Sequence, residues 1–537
     1  MTSVHRLAVL TCAGLVASTV AGCGSVTKAV TGSDPGGAIV MGTTSVTSVL
    51  DPAGAYDNGS WLLLKNVFQS LLKFPAGSST PSPDAAQSCE FTGSDATTYH
   101  CTLRSGLKFS NGHPLTAQDV VFSVERMAKI KDDNGPASLL DSIASVEAKG
   151  DTEVTFHLSR PDAVLPAKLA SAAGSIVDHQ VFPADKLLAN DKLVGSGPYK
   201  IDSIEAMTSD GGSKVPGRVT VVANDHYSGD EILKNKKFTL RYFNKGAELK
   251  TALDKGEVDL ADNSLDPGAA AQYLADVQAG NTAVQVAEGD SSETRYLAFN
   301  TKDAVTGNPA VRQAVAQLLD RKVLARDVYA RTVQPLYSVV PAGVLGHNTA
   351  FFDKYGDPDL AKAKQILTAA KIALPVKMSL TWSRARAEGA ESAEIKRQLE
   401  AGGLFQVTVN QEADWDKFKK GWTAGSYQAY TIGWTADYPD PDNFVAPLVV
   451  DGGAYHTGWN DPRISDRLVP ESLRQADRAA ASSTFAQMQN ITAEGVPLIP
   501  IFQTKSLYAS RSDITGVEST VDTTGVFRFW EIGRSGK

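Results

Sequence analysis

The sequence has little that would suit a membrane interior, nucleic acid binding or hydrolytic chemistry. After Cys23, no segment is long and apolar enough to span a bilayer, which argues against a polytopic membrane protein. Acidic residues outnumber basic residues by 60 to 52, and the net charge of −8 argues against nucleic acid or anionic lipid as a partner. The chain lacks the G-x-S-x-G and H-E-x-x-H motifs of hydrolases, and its eight histidines are scattered.

Cysteine is also scarce, with four residues in the chain. Cys12 lies in the apolar run 7–20, which is too short to span a bilayer and is typical of a secretory signal. The run ends in Val20-Ala21-Gly22-Cys23, small residues followed by cysteine, as in a bacterial lipobox. We expect cleavage before Cys23 and lipid on its thiol, which would anchor the protein to a membrane. The alternative is a plain signal peptide that happens to contain Cys23.

The other two cysteines, Cys89 and Cys101, form an even pair in a protein expected outside the cytoplasm. This pairing favours a disulfide, whose loop of about a dozen residues would stabilise the fold by ~3 kcal/mol. Two free thiols or a metal pair are the alternatives. A zinc site would lack further ligands, because His100 points away from the Cys101 face if this segment is a strand.

The length of 537 residues exceeds one hydrophobic core, so we expect two or three lobes. A hydrophobic content of 42% and a charged content of 21% are ordinary for a soluble globular protein. Residues 24–36 are small and polar, which predicts a flexible tether, and folding should begin near Gly37. Strand-like and helix-like segments mix without a repeat, so the fold class is α/β or α+β.

The clearest local pattern spans residues 99–126. A strand at 99–103 is followed by two Gly-containing turns, and Thr116 with Asp119 then opens a helix by a capping-box-like start. Further helices are predicted at 61–72, after Asn308-Pro309 and after Asp357-Pro358. Residues 75–88 are predicted as a loop. Further strands are predicted at 39–41, 154–158, 218–222, 237–243, 296–300, 378–382 and 497–502.

Six strings along the chain carry a family resemblance. They are YHCTLRSGLKFSNGHPLTAQDVVFSVER (99–126), VGSGPYKI (194–201), ALDKGEVDL (252–260), YLAFNT with NPAVRQAVAQLLDR (296–321), GWTADYPDPDNF (433–444) and VPLIPIF (496–502). In order and spacing they resemble the extracytoplasmic solute-binding proteins of family 5, the peptide- and nickel-type receptors of ABC importers. The departures are the cysteine pair, and Leu318-Leu319 where the family often has Ala-Ile.

The resemblance implies an α/β, two-lobed periplasmic-binding-protein-like clamshell of the class II type with an extra α/β domain. Ligand would be enclosed between the lobes, and the chain would cross between them near Asn300 and Phe502. The implied divisions are a signal peptide at 1–22, a tether at 23–36, lobe I at 37–70 with 193–298 and 502–537, the extra domain at 71–192 and lobe III at 299–501.

The same resemblance implies a function in capture and delivery. A monomeric receptor, lipid-anchored at the extracytoplasmic face of a bacterial membrane, would pass peptides to an ABC permease whose ATPase subunits lie on the other side. No cofactor, resident metal or enzymatic activity is expected. The alternatives are a receptor of the same fold for a nickel chelate, haem or oligosaccharide, a surface lipoprotein that signals or adheres, and a secreted hydrolase.

Asp437 is the main candidate site residue. In the peptide-binding branch of the family, an Asp in a W-x-x-D-Y-like string binds the N-terminal ammonium of the peptide, and here that string is 434–438. Enclosing an ammonium costs several kcal/mol unless a fixed carboxylate meets it. The alternative is that Asp437 only starts a turn, in which we expect Asp440, Asp442 and Asn443 to serve backbone geometry.

Three further candidates lie near the predicted ligand. Trp434, with Thr435 in the same string, would offer a flat apolar wall to a partly dry cleft. The alternative for Trp434 is an ordinary core position. Phe502, beside the second predicted crossing, would either contact ligand or pack the hinge.

The remaining candidates come from two loops. Tyr56, Asp57 and Asn58 correspond to a family loop that faces the ligand, although Asp-Asn-Gly is also strong turn chemistry. Arg384 and Arg386 follow a predicted strand where the dipeptide branch carries an arginine for the C-terminal carboxylate. A solvated loop is the alternative for these two arginines.

Overall fold

The computed structural model describes residues 37–535, apart from 46, 48, 210–211 and 384–388. The predicted signal peptide and the whole predicted tether, with Cys23, lie outside the described residues, as do Arg384 and Arg386. Within the described part of the chain, no helix has the length and apolar character needed to cross a membrane.

Strands and helices are mixed along the whole described chain. The strands are β1 (Ile39–Thr43), β2 (Leu72–Lys73), β3 (Ser82–Pro83), β4 (Ala86–Phe91), β5 (Thr98–Leu103), β6 (Ile143–Lys149), β7 (Glu153–Leu158), β8 (Tyr199–Thr208), β9 (Lys214–Ala223), β10 (Lys237–Tyr242), β11 (Leu260–Ala261), β12 (Val284–Phe299), β13 (Val333–Pro335), β14 (Val376–Trp382), β15 (Phe405–Gln411), β16 (Ala429–Trp434), β17 (Leu498–Arg511), β18 (Ile514–Thr515) and β19 (Gly533–Arg534).

The α-helices are α1 (Asn58–Val67), α2 (Ala117–Ile130), α3 (Leu165–Leu169), α4 (Gly246–Asp254), α5 (Pro267–Gln278), α6 (Pro309–Leu318), α7 (Arg321–Val323), α8 (Ala350–Tyr355), α9 (Leu360–Ala369), α10 (Ala390–Glu400), α11 (Trp415–Thr423), α12 (Asp442–Val449), α13 (Val469–Ser472) and α14 (Ser482–Gly495). Short 3₁₀ turns lie at Ala137–Leu140, Ala172–Gly174, Asn190–Lys192, Val517–Thr520 and Phe529–Glu531, and π-turns at Leu324–Val328 and Arg463–Leu468.

One mixed sheet of eleven strands runs through the molecule, in the order β15-β14-β16-β12-β17-β11-β1-β10-β9-β8, with β13 beside β17. The antiparallel pairing of β9 with β10 confirms the alternating pattern of the sequence. A smaller sheet, β4-β5-β7-β6, lies within the predicted extra domain. The predicted strand at 99–103 forms β5 of this sheet, and 154–158 lies in its neighbour β7.

The long strands β12 and β17 join the two halves of the large sheet. Residues 284–290 of β12 pair with 505–511, and residues 294–298 pair with 498–503, with a register shift between Asp290 and Thr294. Strand β16 contacts β12 along its second part, at residues 294–299, and β11 contacts β17 along its last part, at residues 509–510. The irregular segment therefore separates strands of predicted lobe I from strands of predicted lobe III, while the hinge positions themselves stay a prediction.

Local capping explains where several helices begin. The Thr116 N–H donates to the Asp119 carboxylate at 2.8 Å, which forms the predicted capping box of α2. Asn308 accepts from the Ala310 N–H at the start of α6, with Pro309 at the first position as expected. The third start differs from the prediction, because Asp359 rather than Asp357 caps α9 and Leu360 remains exposed.

Three other element predictions differ from the structure. The helix predicted at 61–72 ends at Val67, because Phe68 adopts an extended conformation. The strand predicted at 497–502 continues to Arg511, because β12 offers it a partner along its whole length. The loop predicted at 75–88 contains β3 and the start of β4, which pair with β2 and β5.

Buried apolar side chains form separate cores. One core draws on residues between Tyr296 and Phe502, and a second on residues between Leu71 and Ile176 with Tyr438 added. Two more lie around β1 and combine early segments with later ones, such as Leu507. This distribution fits a molecule of several lobes, and the exact boundaries stay a prediction.

The cysteine pair lies in the smaller sheet. Cys89 and Cys101 occupy directly opposed positions on β4 and β5, and the structure joins them by a disulfide with a Cα–Cα distance of 4.1 Å. Cys101 is fully buried, whereas the neighbouring His100 contacts Glu153 at 2.7 Å on the other face. The strand therefore places these two side chains as the alternation predicts.

Candidate functional site

The candidate site is built around the loop that leads from β16 into α12. The Asp437 backbone N–H donates to Asn443 Oδ1 at 3.0 Å, and Asn443 Nδ2 donates to Asp437 Oδ2 at 3.0 Å. The Trp434 indole N–H donates to the same Asn443 Oδ1 at 3.3 Å. Asn443, at the start of α12, therefore fixes both the backbone and the carboxylate of Asp437.

The Asp437 carboxylate is costly to keep charged. Burial is the main cause that raises its pKa above the usual range, and hydrogen bonds with Asn443 and Tyr56 and the charge of Lys65 oppose that rise. Among the residues that the structure describes, no Lys, Arg or His nitrogen lies within 4.0 Å of this carboxylate. A carboxylate in such a place is suited to bind a cationic group from outside the chain.

Tyr56 approaches Asp437 from the predicted opposite lobe. Burial, followed by the charge and the hydrogen-bonding contact of Asp437, raises the pKa of its phenol well above the usual range. The Tyr56 ring lies 5.5 Å from the Trp61 ring, centroid to centroid, and the side chain remains 40% exposed. The predicted site residues Tyr56 and Asp437 therefore come together, although they are far apart in sequence.

The two residues after Tyr56 have different roles in the structure. Asp57 caps α1, because its carboxylate accepts from the Ser60 N–H at 2.7 Å and from the Ser60 hydroxyl at 2.8 Å. Asn58 is exposed and lines a cavity beside α1. Asp57 thus matches the turn-chemistry alternative, and Asn58 stays a candidate for ligand contact.

A buried ion pair fixes the loop that carries Tyr56. The Arg126 guanidinium donates two bonds to the Asp51 carboxylate, at 2.8 and 2.6 Å, and both side chains are buried. Asp51 also accepts from the Leu188 N–H at 2.6 Å. Because Arg126 ends the signature string 99–126, that string contributes to the site by holding the Tyr56 loop in place.

A cavity of about 170 Å³ lies next to these residues. Thr435 and Ala436, directly before Asp437, line it together with residues of α1 and with the irregular segment of β12. Its lining consists of Ser45, Asn58, Trp61, Leu62, Lys65, Asp262, Asn263, Ser264, Ser291, Ser292, Glu293, Thr435, Ala436, Ser506, Tyr508, Thr520, Asp522, Gly525 and Phe527. The cavity therefore lies between the predicted lobes.

Two larger cavities lie elsewhere, and residues 434–437 line neither of them. One, of about 310 Å³, is bounded by residues of predicted lobe I and of the predicted extra domain, around Phe68 and Trp530. The other, of about 390 Å³, is bounded by residues of the predicted extra domain and of predicted lobe III, around Pro166 and Arg478. Size alone does not select the site, because Thr435 and Ala436, the two residues directly before Asp437, line the smallest of the three.

The apolar candidates are placed differently from one another. Trp434 is half-buried, with its ring edge-on to Tyr455 at 6.1 Å, so it combines packing with support of Asn443. Thr435 is exposed and faces the cavity. Phe502 is 4% exposed and packs against Tyr329 at 4.5 Å, which matches the hinge-packing alternative.

The residues expected to form a plain turn are in fact buried. Asp440 accepts two bonds from Arg478, both at 2.8 Å, and the two form an ion pair. Asp442 begins α12, and burial together with the nearby Asp440 charge raises its pKa to about 6. Asp440 Oδ1 also accepts from the Asp442 N–H at 2.9 Å, and Asn443 accepts from the Asp437 N–H, so both side chains serve backbone geometry as expected. Unlike the prediction, Asp442 and Asn443 already belong to helix α12. Sequence patterns gave no signal for Asn443 or for Lys65.

Comparison with known proteins places the chain in a family. The model of the bacterial extracellular solute-binding proteins, family 5 (middle), matches residues 80–456. The chain belongs to this family. It is therefore an extracytoplasmic solute-binding protein and not an enzyme, in agreement with the resemblance of its sequence strings.

Individual relatives of this family 5 solute-binding protein are distant but cover nearly its whole length. The probable D,D-dipeptide-binding periplasmic protein DdpA of Escherichia coli is 23% identical over 491 residues, covering 89% of this chain and 90% of DdpA. Di/tripeptide-binding protein 2 of Pseudomonas aeruginosa is 24% identical over 484 residues, covering 84% and 86% of the two chains.

A solved structure confirms the fold. The periplasmic binding protein DppA of Helicobacter pylori, in complex with the peptide STSA, aligns with a TM-score of 0.76 and 22% identity. The alignment covers 93% of this chain and 98% of that chain. The predicted two-lobed α/β fold of family 5 is therefore correct.

Proposed function

We propose that this family 5 solute-binding protein is the receptor of an ABC importer, that it encloses peptides with a free N-terminus between its lobes, and that it delivers them to a permease. The observation that carries the proposal is the half-buried Asp437 carboxylate beside a cavity between the predicted lobes. The names of the relatives, which refer to dipeptides and di/tripeptides, support a peptide as ligand.

The geometry of Asp437 leaves room for an ammonium group. A carboxylate has about four acceptor positions, and Asn443 and Tyr56 occupy part of them. A peptide ammonium at this position would offset the burial that raises the Asp437 pKa. Removing either charge would strand the other, at a cost of about 2–5 kcal/mol.

Ligand binding would also couple the two lobes. Tyr56 and Asp437 come from segments assigned by the sequence to different lobes, and both would contact the ligand amine. A ligand that makes contacts to both lobes favours the conformation in which they are close. Release to a permease then requires only that the partner favour the open form.

We further propose that Cys23 carries the lipid anchor and that the receptor acts as a monomer. The support for the anchor is the string of small residues before Cys23. ATP hydrolysis would take place in the partner subunits. Cys23→Ala should release the protein from the membrane fraction, and an immunoblot that finds the variant still membrane-bound would contradict the anchor.

The peptide proposal is tested by native mass spectrometry. The protein is mixed with equimolar pools of random di-, tri- and hexapeptides, each pool with either free or acetylated N-termini. We expect capture from the free pools and a loss of affinity of at least 30-fold, or about 2 kcal/mol, on acetylation. Asp437→Asn, which keeps the Asn443 contact, should lose this discrimination. Equal binding of acetylated and free peptides by the wild type would refute the proposal.

A further inference from the structure

Lys65 faces the same cavity from α1. It is the one basic residue among the described residues that line this cavity. Its ammonium lies 5.6 Å from the centre of the Trp61 ring and makes a long hydrogen bond, 3.5 Å, to the Gly525 carbonyl oxygen. An ammonium has three donors, so these contacts leave it capacity for a stronger acceptor.

Among the acidic residues that line the cavity, Asp522 has the largest effect on the Lys65 charge, and its carboxylate already accepts hydrogen bonds from other protein groups. Asp522 accepts from Arg528 at 3.0 Å, from the Gly77 N–H at 2.9 Å and from Thr524. Burial, followed by the charge of Arg528, lowers the pKa of Lys65 to about 8, against the raising effects of Asp522 and Asp437. The cation is thus held in a place where its charge is only partly compensated.

The charges of the other residues that line the cavity determine which way round a charged ligand would bind. Asp262 and Glu293 add negative charge to the cavity wall, and Asp437 lies next to its Ala436 edge. A ligand with one positive and one negative end therefore finds a single place for its carboxylate, on the α1 side. The volume of about 170 Å³ is below the roughly 300–1,000 Å³ of usual small-molecule sites, which favours a short ligand.

We infer that Lys65 binds the C-terminal carboxylate of the ligand, so that the receptor prefers short peptides, of two or three residues, with both ends free. This inference rests on the proposed function, because it takes the ammonium end to lie at Asp437. It assigns to a helix residue of lobe I the role that the sequence suggested for Arg384 and Arg386.

The test compares free and C-terminally amidated peptide pools. Native mass spectrometry measures binding of random di- and tripeptide pools, free or amidated, to the wild type, Lys65→Met and Lys65→Arg. Methionine keeps an unbranched stem against Trp61, and arginine keeps the charge. A charge-assisted hydrogen bond predicts a 10- to 100-fold preference of the wild type for free peptides.

The outcomes separate this inference from the peptide proposal. We expect Lys65→Met to lose the preference for free C-termini, Lys65→Arg to keep most of it, and both to keep the preference for free N-termini. An unchanged preference in Lys65→Met, or no preference in the wild type, would overturn the inference and leave the proposed function standing. Thermal unfolding of each variant shows whether it is folded, and Lys65→Arg gives a folded comparison if methionine destabilises the chain.

Discussion

Asn443 offers the sharpest test of how the site is held. Its side chain donates to the Asp437 carboxylate and accepts from the Asp437 N–H, both at 3.0 Å. A hydrogen bond to a charged group contributes about 1.5–3 kcal/mol, and one between neutral groups about 0.5–1.5 kcal/mol. Asn443→Ala therefore removes about 2–4 kcal/mol of interactions, shared between folding and ligand binding.

We expect this substitution to act on both stability and affinity. The free energy of unfolding should fall by about 1–2 kcal/mol. Peptide affinity should fall about tenfold, because Asp437 loses its fixed orientation and its pKa rises further. Urea unfolding followed by fluorescence measures the first quantity. Isothermal titration calorimetry, with the dipeptide most strongly captured from the random pool, measures the second.

The matched control is Asn281→Ala. Asn281 is exposed, lies outside the cavity and accepts from the Ala283 N–H at 2.9 Å, so the same change there should leave peptide affinity unchanged. Wild-type affinity in Asn443→Ala would refute the reasoning that Asn443 positions Asp437.

Two further predictions concern stability. Arg126→Met leaves Asp51 buried without its cation and should lower the free energy of unfolding, measured in urea, by about 3–5 kcal/mol. The double variant Arg126→Met/Asp51→Asn should recover part of this loss. Full stability of the single variant would contradict the role of this pair. Asp442 has a folded pKa of about 6, above its usual value of 3.8, so the folded state binds the proton more tightly and stability should fall as the pH rises from about 4 to about 6. Asp442→Asn should flatten this dependence in urea unfolding measured across that range, and an unchanged slope would show that another group titrates.

Local chemistry explains what the sequence predicted well. The capping box at Thr116, the Asn308-Pro309 start of α6 and the strand at β5 depend on neighbouring residues, so the pattern contains the needed information. Asp437 was proposed from a family string and Tyr56 from a family loop, and the structure brings the two side chains together.

The errors arise where distant segments decide the outcome. Strand β17 extends to Arg511 because β12 lies beside it, which no local pattern shows. The turn chemistry of Asp440 and Asn443 was predicted, but their side-chain partners were not. Asp440 pairs with Arg478, which is distant in sequence, and Asn443 binds the Asp437 carboxylate only once the loop has folded. Lys65 was missed because a lysine within a helix is typical of a solvated face, and only the packing of the lobes places it on a cavity.

The most direct test of the central claim is a crystal structure of the protein with the dipeptide captured from the random pool. The account predicts the ligand ammonium at about 2.7–2.9 Å from the Asp437 carboxylate, the usual length of a charge-assisted hydrogen bond. A bound peptide whose ammonium lies away from Asp437, with that carboxylate bonded only to protein groups, would contradict it.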